Sequence, residues 1–316
     1  MLSKLITENK KLNCKPFLKW AGGKTQLISK IDKYLPLEIR TGKFIYIEPF
    51  VGSGALLFWM LNKFPNMEKA VINDINSDLI NTYKIIRSKP KKLIEVLKEF
   101  QLQYHTFQSN EEKKSKYYYQ KRDLYNTRSM DKITQAALFI FLNRTCFNGL
   151  YRVNKSNLFN VPIGSYKKPM ICDEQNILAV SEAIQNVEIL NNDFKQTISY
   201  ANENSFFYLD PPYKPLSETS NFNSYAEDVF DDNEQIRLRD FCVKLDVRKS
   251  KWMLSNSDVQ DSNFFDELFK DFFINRVNAR RIINSKADKR GSLSELLITN
   301  YKDKADSLFA EQPEKT

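Results

Sequence analysis

The chain has 316 residues, of which 42% are hydrophobic, so it can build one large domain or two ordinary ones around a sizeable core. Its net charge of +9 favours a polyanionic partner, while its single histidine, His105, argues against zinc sites and histidine-based triads. The longest apolar run, residues 55–61, is too short to cross a bilayer, and the start lacks a signal peptide. The four cysteines lack metal-ligand spacing. These features predict a cytoplasmic protein without membrane contact or metal.

The first conspicuous stretch is FLKWAGGKT, at residues 17–25. Its Gly-Lys-Thr end suggests a phosphate-binding loop, but that motif requires a glycine where Leu18 stands. Two interpretations remain. The stretch is either a turn before a helix that begins near Thr25, or a loop whose Trp20 and Lys24 help to enclose a small ligand.

A buried strand is predicted at Phe44–Glu48, followed by the turn PFVGSG at residues 49–54 and a helix from Ala55. A strand, a glycine turn and a helix bring backbone N–H groups close to a nucleotide-like ligand. The third glycine of the dinucleotide-binding motif is absent, because Leu57 occupies its position. The turn alone is therefore weak evidence for a nucleotide site.

A second strand, Ala70–Ile72, leads to Asp74, which stands twenty residues after Gly54 (74 − 54). An acid at this spacing can hold the hydroxyls of a ribose, although Asp is also common as a helix cap. Together with the glycine turn, this position favours a nucleoside cofactor.

From about residue 77 to residue 187 the apolar spacing is helical. Leu79, Ile80, Tyr83 and Ile86 share one face, and Thr134–Leu142 is another predicted helix. This helical insertion ends in a polar and aromatic segment over residues 143–168. Arg, Asn and Gln can read base edges and aromatic rings can insert between bases, but composition alone favours a hairpin with a solvated basic face.

The next strand, Phe206–Leu209, is apolar throughout, which is typical of a strand buried on both faces of a parallel sheet. Asp210, Pro211, Pro212 and Tyr213 follow it, at the end where open α/β sheets place ligands. The Asp210 carboxylate and the Pro211 carbonyl could accept both hydrogens of an exocyclic amine, and Tyr213 could stack on the base. A strand with a proline-rich turn is an equal alternative for these residues alone.

Four further segments complete the chain. Asn192-Asp193-Phe194 is a candidate cofactor contact or an ordinary loop, and Trp252–Ser257 is another buried strand with a polar end. Residues 275–290 carry six basic side chains against one acid, which we interpret as a phosphate-contacting segment. Leu296–Thr299 is the last predicted strand.

The motif Asp-Pro-Pro-Tyr resembles the catalytic tetrapeptide of amino-methyltransferases that act on adenine N6 or cytosine N4. Residues 17–25 resemble the N-terminal cofactor motif of Dam-type adenine methylases. Asn-Gly-Leu-x-Arg at 148–152 and Phe-Asn-Val-Pro at 159–162 resemble the target-recognition hairpin of Dam-like enzymes that methylate GATC. The motifs resembling this family span positions 17 to 301 in the family's order.

This resemblance implies a Rossmann-like α/β methyltransferase sheet formed by residues 1–76 and 188–301, a helical DNA target-recognition domain at 77–187 and a polar tail at 302–316. S-adenosylmethionine is the implied cofactor, with nicotinamide cofactors a poor second. The implied cofactor-binding residues are Trp20, Lys24, Phe50, Gly52, Gly54, Asp74, Asp193, Phe194 and Asp210. The implied catalytic residues are Asp210, Pro211, Pro212 and Tyr213.

The implied DNA-binding residues are Lys19, Arg144, Phe147, Asn148, Leu150, Arg152, Pro162, Tyr166, Arg280 and Arg281. Of these, Arg152, Leu150 and Pro162 would contact bases, and Lys19 would reach the outer base pair. Phe147 and Asn148 would act where the flipped adenine leaves the stack.

The implied reaction is methyl transfer to adenine N6 in double-stranded GATC, by base flipping and direct attack, without a covalent enzyme intermediate. Because stacking needs only the ring of Tyr213, Tyr213→Phe is expected to keep most activity. A cytosine-N4 methylase and a non-catalytic DNA-binding protein with a methylase fold remain alternatives. Pairing with a restriction endonuclease and the oligomeric state stay open.

Overall fold

The computed structural model describes residues 14–20, 24, 27–214, 230–259, 263–280 and 292–302. Seven strands form a single sheet within these residues. They are β1 (Phe44–Glu48), β2 (Met67–Asn73), β3 (Val187–Leu190), β4 (Ser205–Leu209), β5 (Lys251–Ser257), β6 (Phe273–Arg280) and β7 (Ser292–Thr299).

Ten α-helices lie in the described residues. They are α1 (Ile28–Tyr34), α2 (Leu37–Thr41), α3 (Ala55–Lys63), α4 (Ser77–Ser88), α5 (Pro90–Thr106), α6 (Glu111–Asn126), α7 (Lys132–Thr145), α8 (Glu174–Ala183), α9 (Asp232–Val247) and α10 (Phe264–Leu268). Short 3-10 helices cover Phe147–Gly149 and Phe194–Tyr200. None of the helices in the described ranges is long and apolar enough to cross a bilayer.

The strand order is β3-β2-β1-β4-β5-β7-β6. Strands β1 to β5 pair in parallel, with Ile47 of β1 opposite Phe207 of β4, whereas β7 pairs antiparallel with both β5 and β6. From β1 the chain first builds outward through β2 and β3, and then returns to place β4 on the other side of β1. The order therefore reverses between β1 and β4, and the crevice at their carboxyl ends is where open α/β sheets bind ligands.

Alternate residues of each strand face opposite sides of the sheet and enter two separate hydrophobic clusters. Tyr46 of β1 and Phe206 of β4 pack on one side with the helices before β3, while Ile47 and Phe207 pack on the other side with α9 and α10. The sheet is thus covered on both faces, which is why its central strands are apolar throughout.

The predicted helical insertion packs into the first of these clusters. Helix α7 lies at its centre and has ten buried residues among fourteen, as expected for a helix that is enclosed on all sides. Its N-cap, Asp131, accepts hydrogen bonds from the N–H groups of Ile133 and Thr134. The insertion therefore shares one core with the sheet face that it covers.

The structure confirms the predicted strands at Phe44–Glu48, 70–72, 206–209, 252–257 and 296–299 and the helices of the insertion. The prediction for residues 275–290 was incomplete, because Phe273–Arg280 forms the edge strand β6. In this strand Arg276 pairs with Asp258 and Asp266 at 3.3 and 2.7 Å, and its contact with a phosphate stays a prediction. Strand β6 was not predicted because its polar residues interrupt the apolar pattern, which an edge strand does not need.

Candidate active site

A cavity of about 890 Å³ lies at the carboxyl ends of β1, β2 and β4, where the strand order reverses. All four predicted catalytic residues line it, and so do eight of the nine predicted cofactor residues. Gly54 is the exception. It lies at the start of α3 with a φ of +73°, and a side chain there would meet the Tyr83 hydroxyl at 2.5 Å, so this glycine shapes the turn.

The glycine turn is fixed from three directions. Gly52 has a φ of +48°, and an added Cβ would come within 3.0 Å of the Trp20 ring. The Gly52 carbonyl accepts a hydrogen bond from the Tyr83 hydroxyl at 3.0 Å, and its N–H donates to Asp74 Oδ2 at 3.1 Å. The floor of the cavity is therefore a backbone segment with little freedom, held close to one indole ring.

Asp74 follows β2 and lines the cavity. It does not cap α4, since Asn76 accepts the capping hydrogen bond from the Leu79 N–H. Burial raises the pKa of Asp74, and hydrogen bonds from the N–H groups of Asn76 and Gly52 oppose that rise. A carboxylate oriented by backbone donors in a cleft is suited to accept hydrogen bonds from ligand hydroxyls.

Asn73 was not singled out in the sequence, yet it joins two walls of the cavity. Its side-chain amide donates to the Pro49 carbonyl at 3.0 Å and to the Asn192 carbonyl at 2.9 Å, and its oxygen accepts from the Asn192 N–H at 2.9 Å. This side chain is almost wholly buried. A polar residue at the end of an apolar strand is the sequence signal that could have found it.

The carboxylate of Asp210 is oriented by two groups that reach the same oxygen. Lys24 Nζ lies 3.0 Å from Oδ1, and the Ser255 hydroxyl donates to Oδ1 at 3.1 Å. Burial raises the pKa of Asp210, while Lys24 and Ser255 act in the opposite direction. Ser255 in turn lies 3.0 Å from the Tyr208 hydroxyl, so β4 and β5 together set the position of the carboxylate.

The tetrapeptide turn is braced by α9 and by the end of β5. Gln235 donates to the Pro212 carbonyl at 3.3 Å and accepts from Asn256 at 3.2 Å, and Asn256 also accepts from the Lys214 N–H at 3.2 Å. The Tyr213 hydroxyl donates to Glu295 Oε2 at 2.8 Å. The turn is therefore held at both ends, as its two prolines suggest.

Aromatic rings form the far wall of the cavity. Phe50 lies 5.2 Å from Phe194 and 5.9 Å from Phe230 between ring centroids. Arg237, which was missed in the sequence, lies 4.4 Å from the centre of the Phe194 ring and pairs with Asp193 at 2.7 Å. Such a wall suits a planar heterocycle.

Glu48 is a further cavity residue that sequence reasoning missed. It is the last residue of β1, is almost wholly buried and accepts a hydrogen bond from the Tyr46 hydroxyl at 2.9 Å. Burial raises the pKa of its carboxyl well above the usual value, and the charges of Asp210 and Asp74 add to that rise. Glu48 thus lies near two other acids of the cavity, Asp74 and Asp210, and a positively charged ligand would relieve their mutual repulsion.

Most of the predicted DNA-binding residues lie in or beside one hairpin-like segment, Cys146–Tyr166. Bridges between Cys146 and Ile163 and between Val153 and Phe159 hold its two arms together. Phe147 donates its N–H to the Pro162 carbonyl at 2.8 Å, half of its side chain is exposed, and Asn148 has a φ of 54°. This turn presents Phe147 to solvent.

Lys19 and the hairpin are joined through Asn143. The Asn143 oxygen accepts from the Lys19 N–H at 2.8 Å, and its amide donates to the carbonyls of Lys19 and Gly149 at 2.7 and 2.9 Å. Lys19 Nζ lies 4.0 Å from the centre of the Tyr166 ring. Two predicted DNA contacts far apart in sequence, Lys19 and Tyr166, are therefore neighbours.

Arg152 is oriented by the opposite arm of the hairpin, where Asn160 Oδ1 accepts from its Nε at 2.7 Å. Arg144 instead faces the interior and donates to the Phe17 carbonyl at 2.8 Å, and burial lowers its pKa. The side chain of Arg280 and the whole of Arg281 lie outside the described residues. For all these residues DNA contact stays a prediction.

Comparison with known proteins gives concordant matches. Residues 20–283 match the family described as D12 class N6 adenine-specific DNA methyltransferase. A type II methyltransferase, M.MjaIII of Methanocaldococcus jannaschii, is 49% identical over 92% of this chain and 100% of its own length. Another, M1.LlaDCHI of Lactococcus lactis, is 40% identical over 94% of this chain and 99% of its own. The DNA adenine methylase of Haemophilus influenzae is 35% identical over 91% and 94%.

These matches extend over the sheet, the insertion and the cavity alike, and they confirm the resemblance inferred from the tetrapeptide and hairpin motifs. The chain belongs to the D12 class of N6 adenine-specific DNA methyltransferases.

Proposed function

We propose that this enzyme transfers a methyl group from S-adenosylmethionine to N6 of adenine in double-stranded GATC, after flipping the base into the cavity. The observation that carries the proposal is the placement of Asp210–Tyr213 in the cavity at the reversal of strand order. That turn supplies two acceptors and one aromatic ring beside a pocket suited to a nucleoside cofactor.

The residues of the cavity fit S-adenosylmethionine. Asp74 would accept hydrogen bonds from the ribose hydroxyls, and the rings of Phe50 and Phe194 would contact the adenine. The acids Glu48 and Asp210 complement a ligand that carries a sulfonium and an ammonium group, because opposite charges favour one another at low dielectric. When bound, the cofactor supplies an electrophilic methyl group.

The chain's own contribution is mainly the orientation of the amine. Asp210 and the Pro211 carbonyl would accept the two N6 hydrogens, which leaves the nitrogen lone pair directed at the methyl carbon. Tyr213 would stack on the base. Positive charge develops on N6 as it bonds to the methyl carbon, the ionised Asp210 stabilises that charge, and the nitrogen then loses one of its two hydrogens as a proton.

The hairpin would read the DNA. Arg152 can bond bidentately to guanine O6 and N7, Leu150 and Pro162 can contact base edges, and Lys19 can reach the outer base pair. Phe147 and Asn148 would occupy the gap left by the flipped base. Flipping costs a few kcal/mol, which these contacts would offset.

The names of the relatives bear on biological context. Those from M. jannaschii and L. lactis are type II methyltransferases, whereas that from H. influenzae is a DNA adenine methylase. We infer that this chain partners a restriction endonuclease, since the two type II proteins are more similar to it than the third.

The test is methylation of GATC duplexes and of duplexes with single base-pair changes, using labelled S-adenosylmethionine, followed by digestion to nucleosides. The expected product is N6-methyl-2′-deoxyadenosine, at GATC only, and Asp210→Ala should abolish it. Asp240→Ala, on the exposed side of α9, is the control and should remain active. N4-methylcytosine would establish the cytosine alternative, and equal labelling of every duplex would overturn GATC as the target.

A further inference from the structure

The antiparallel strand β7 brings a carboxylate to the ligand edge of the sheet. Glu295 pairs with Ser257, the last residue of β5. Because β7 runs opposite to β5, residues near its beginning lie at the carboxyl ends of the parallel strands. Glu295 Oε2 there accepts the hydrogen bond from the Tyr213 hydroxyl at 2.8 Å.

This hydrogen bond completes the fixation of Tyr213. The following residue, Lys214, is tied through its N–H to Asn256 at 3.2 Å, which limits the backbone. The hydroxyl is tied to Glu295, which limits rotation of the ring. A hydrogen bond to an ionised acceptor is roughly twice as strong as one between neutral groups.

We propose that Glu295 is a positioning residue for methyl transfer, which holds the Tyr213 ring in the orientation that the target base needs for stacking. The inference rests on the proposed function. It also revises the expectation for Tyr213→Phe, because this variant keeps the ring but releases it from Glu295.

Glu295 has a second effect that a purely structural residue would lack. The charged groups around Asp210 include Lys24, Glu48 and Glu295. Burial is the main cause of the raised pKa of Asp210, and the negative charge of Glu295 adds to it. Removing that charge should therefore move the acid limb of the pH–rate profile to lower pH.

The experiment measures kcat, the KM for DNA and cofactor affinity for wild type, Glu295→Gln, Glu295→Leu, Tyr213→Phe and the Glu295→Leu/Tyr213→Phe double variant. We expect kcat to be about tenfold lower in Glu295→Leu and in Tyr213→Phe. The double variant should also lose only about tenfold, since both changes remove the same hydrogen bond. Glu295→Gln keeps an acceptor and should keep most of kcat while its acid limb moves. Cofactor affinity should not change.

A matched control exists on β3. Glu188 accepts a hydrogen bond from the Tyr200 hydroxyl, and neither residue lines the cavity. Glu188→Leu and Tyr200→Phe therefore remove the same kind of carboxylate–phenol pair outside the cavity. Both should retain wild-type kcat.

Wild-type kcat in Glu295→Leu would overturn the inference. A loss of about a hundredfold in the double variant would also overturn it, because the two side chains would then act independently. If Glu295→Leu does not fold, Tyr213→Phe decides, since wild-type kcat in that variant contradicts the inference. An inactive wild type on adenine-containing duplexes would instead defeat the proposed function. The two failures are thus distinguishable.

Discussion

Lys24 Nζ lies 3.0 Å from Asp210 Oδ1 and 4.1 Å from the centre of the Tyr213 ring. One ammonium group therefore contacts both the acceptor and the aromatic platform of the tetrapeptide. It favours the ionised form of Asp210 against the burial that raises the pKa of this carboxyl.

Lys24→Met should accordingly raise the pKa of Asp210 further. The amine is bound by the carboxylate form, so activity is present above this pKa and is lost as the pH falls through it. The acid limb of kcat/KM should lie above the usual range of an Asp in the wild type and higher still in Lys24→Met. Lys69→Met, on β2, breaks another ion pair and should leave the limb in place. An identical profile for Lys24→Met would show that Asp210 does not control the limb.

Glu48→Gln should stabilise the fold. The folded-state pKa of Glu48 is raised by burial, so its ionised form destabilises the folded state. The loss in the free energy of unfolding begins when the pH exceeds the pKa of Glu48 in the unfolded chain. It grows until the pH has passed the pKa of Glu48 in the folded protein. The melting temperature of Glu48→Gln should exceed that of wild type by a few degrees near pH 8, with the difference vanishing in acid. S-adenosylmethionine affinity should fall, and a lower melting temperature at pH 8 would contradict this account.

Asp74→Ala should weaken S-adenosylmethionine binding, because the ribose acceptor is lost. Asp74→Asn retains an oxygen that can accept from the Gly52 N–H, and should lose less. Calorimetric titration with S-adenosylmethionine and with NAD measures both effects, and NAD should not bind detectably. Tight NAD binding, or equal cofactor affinity in all three proteins, would favour a general nucleotide site.

Arg152→Ala should cost about 1–3 kcal/mol at one base pair and relax specificity there, since a bidentate contact to guanine is removed. Lys155→Ala, in the exposed part of the same hairpin, is the contrasting variant. We expect this exposed lysine to contact phosphate rather than a base, so the variant should weaken binding to every sequence and lower the salt slope by about one unit. If Arg152→Ala instead lost affinity equally on all duplexes and showed a lower salt slope, Arg152 would be a phosphate contact.

The central sheet was predictable because its strands are apolar on both faces and are followed by proline or polar residues that end a strand. Phe44–Glu48 and Phe206–Leu209 are cases where local pattern and burial agree. Strand β6 was missed because Asn275, Arg276 and Asn278 interrupt its apolar pattern, and its pairing with β7 is a long-range contact.

The candidate site was predictable where motif chemistry lies in one short stretch, as at Asp210–Tyr213. Glu295 was missed because it reaches Tyr213 from a strand distant in sequence, and Arg237 because it reaches the cavity from helix α9. The orientation of Arg144 was not predictable from its neighbours, since its guanidinium donates a hydrogen bond to the Phe17 carbonyl, and its DNA contact stays a prediction. Which side of a helix end an arginine faces depends on tertiary packing.

The Asn143 bridge has a consequence for how the hairpin tolerates change. Asn143 fixes main-chain atoms of Lys19 and Gly149, and the Cys146–Ile163 and Val153–Phe159 bridges also join backbone to backbone. These main-chain contacts do not involve the side chains at positions 150 and 152, although Arg152 adds a hydrogen bond to Asn160. New target sequences can be sought by exchanging those two side chains while the anchoring asparagine is retained.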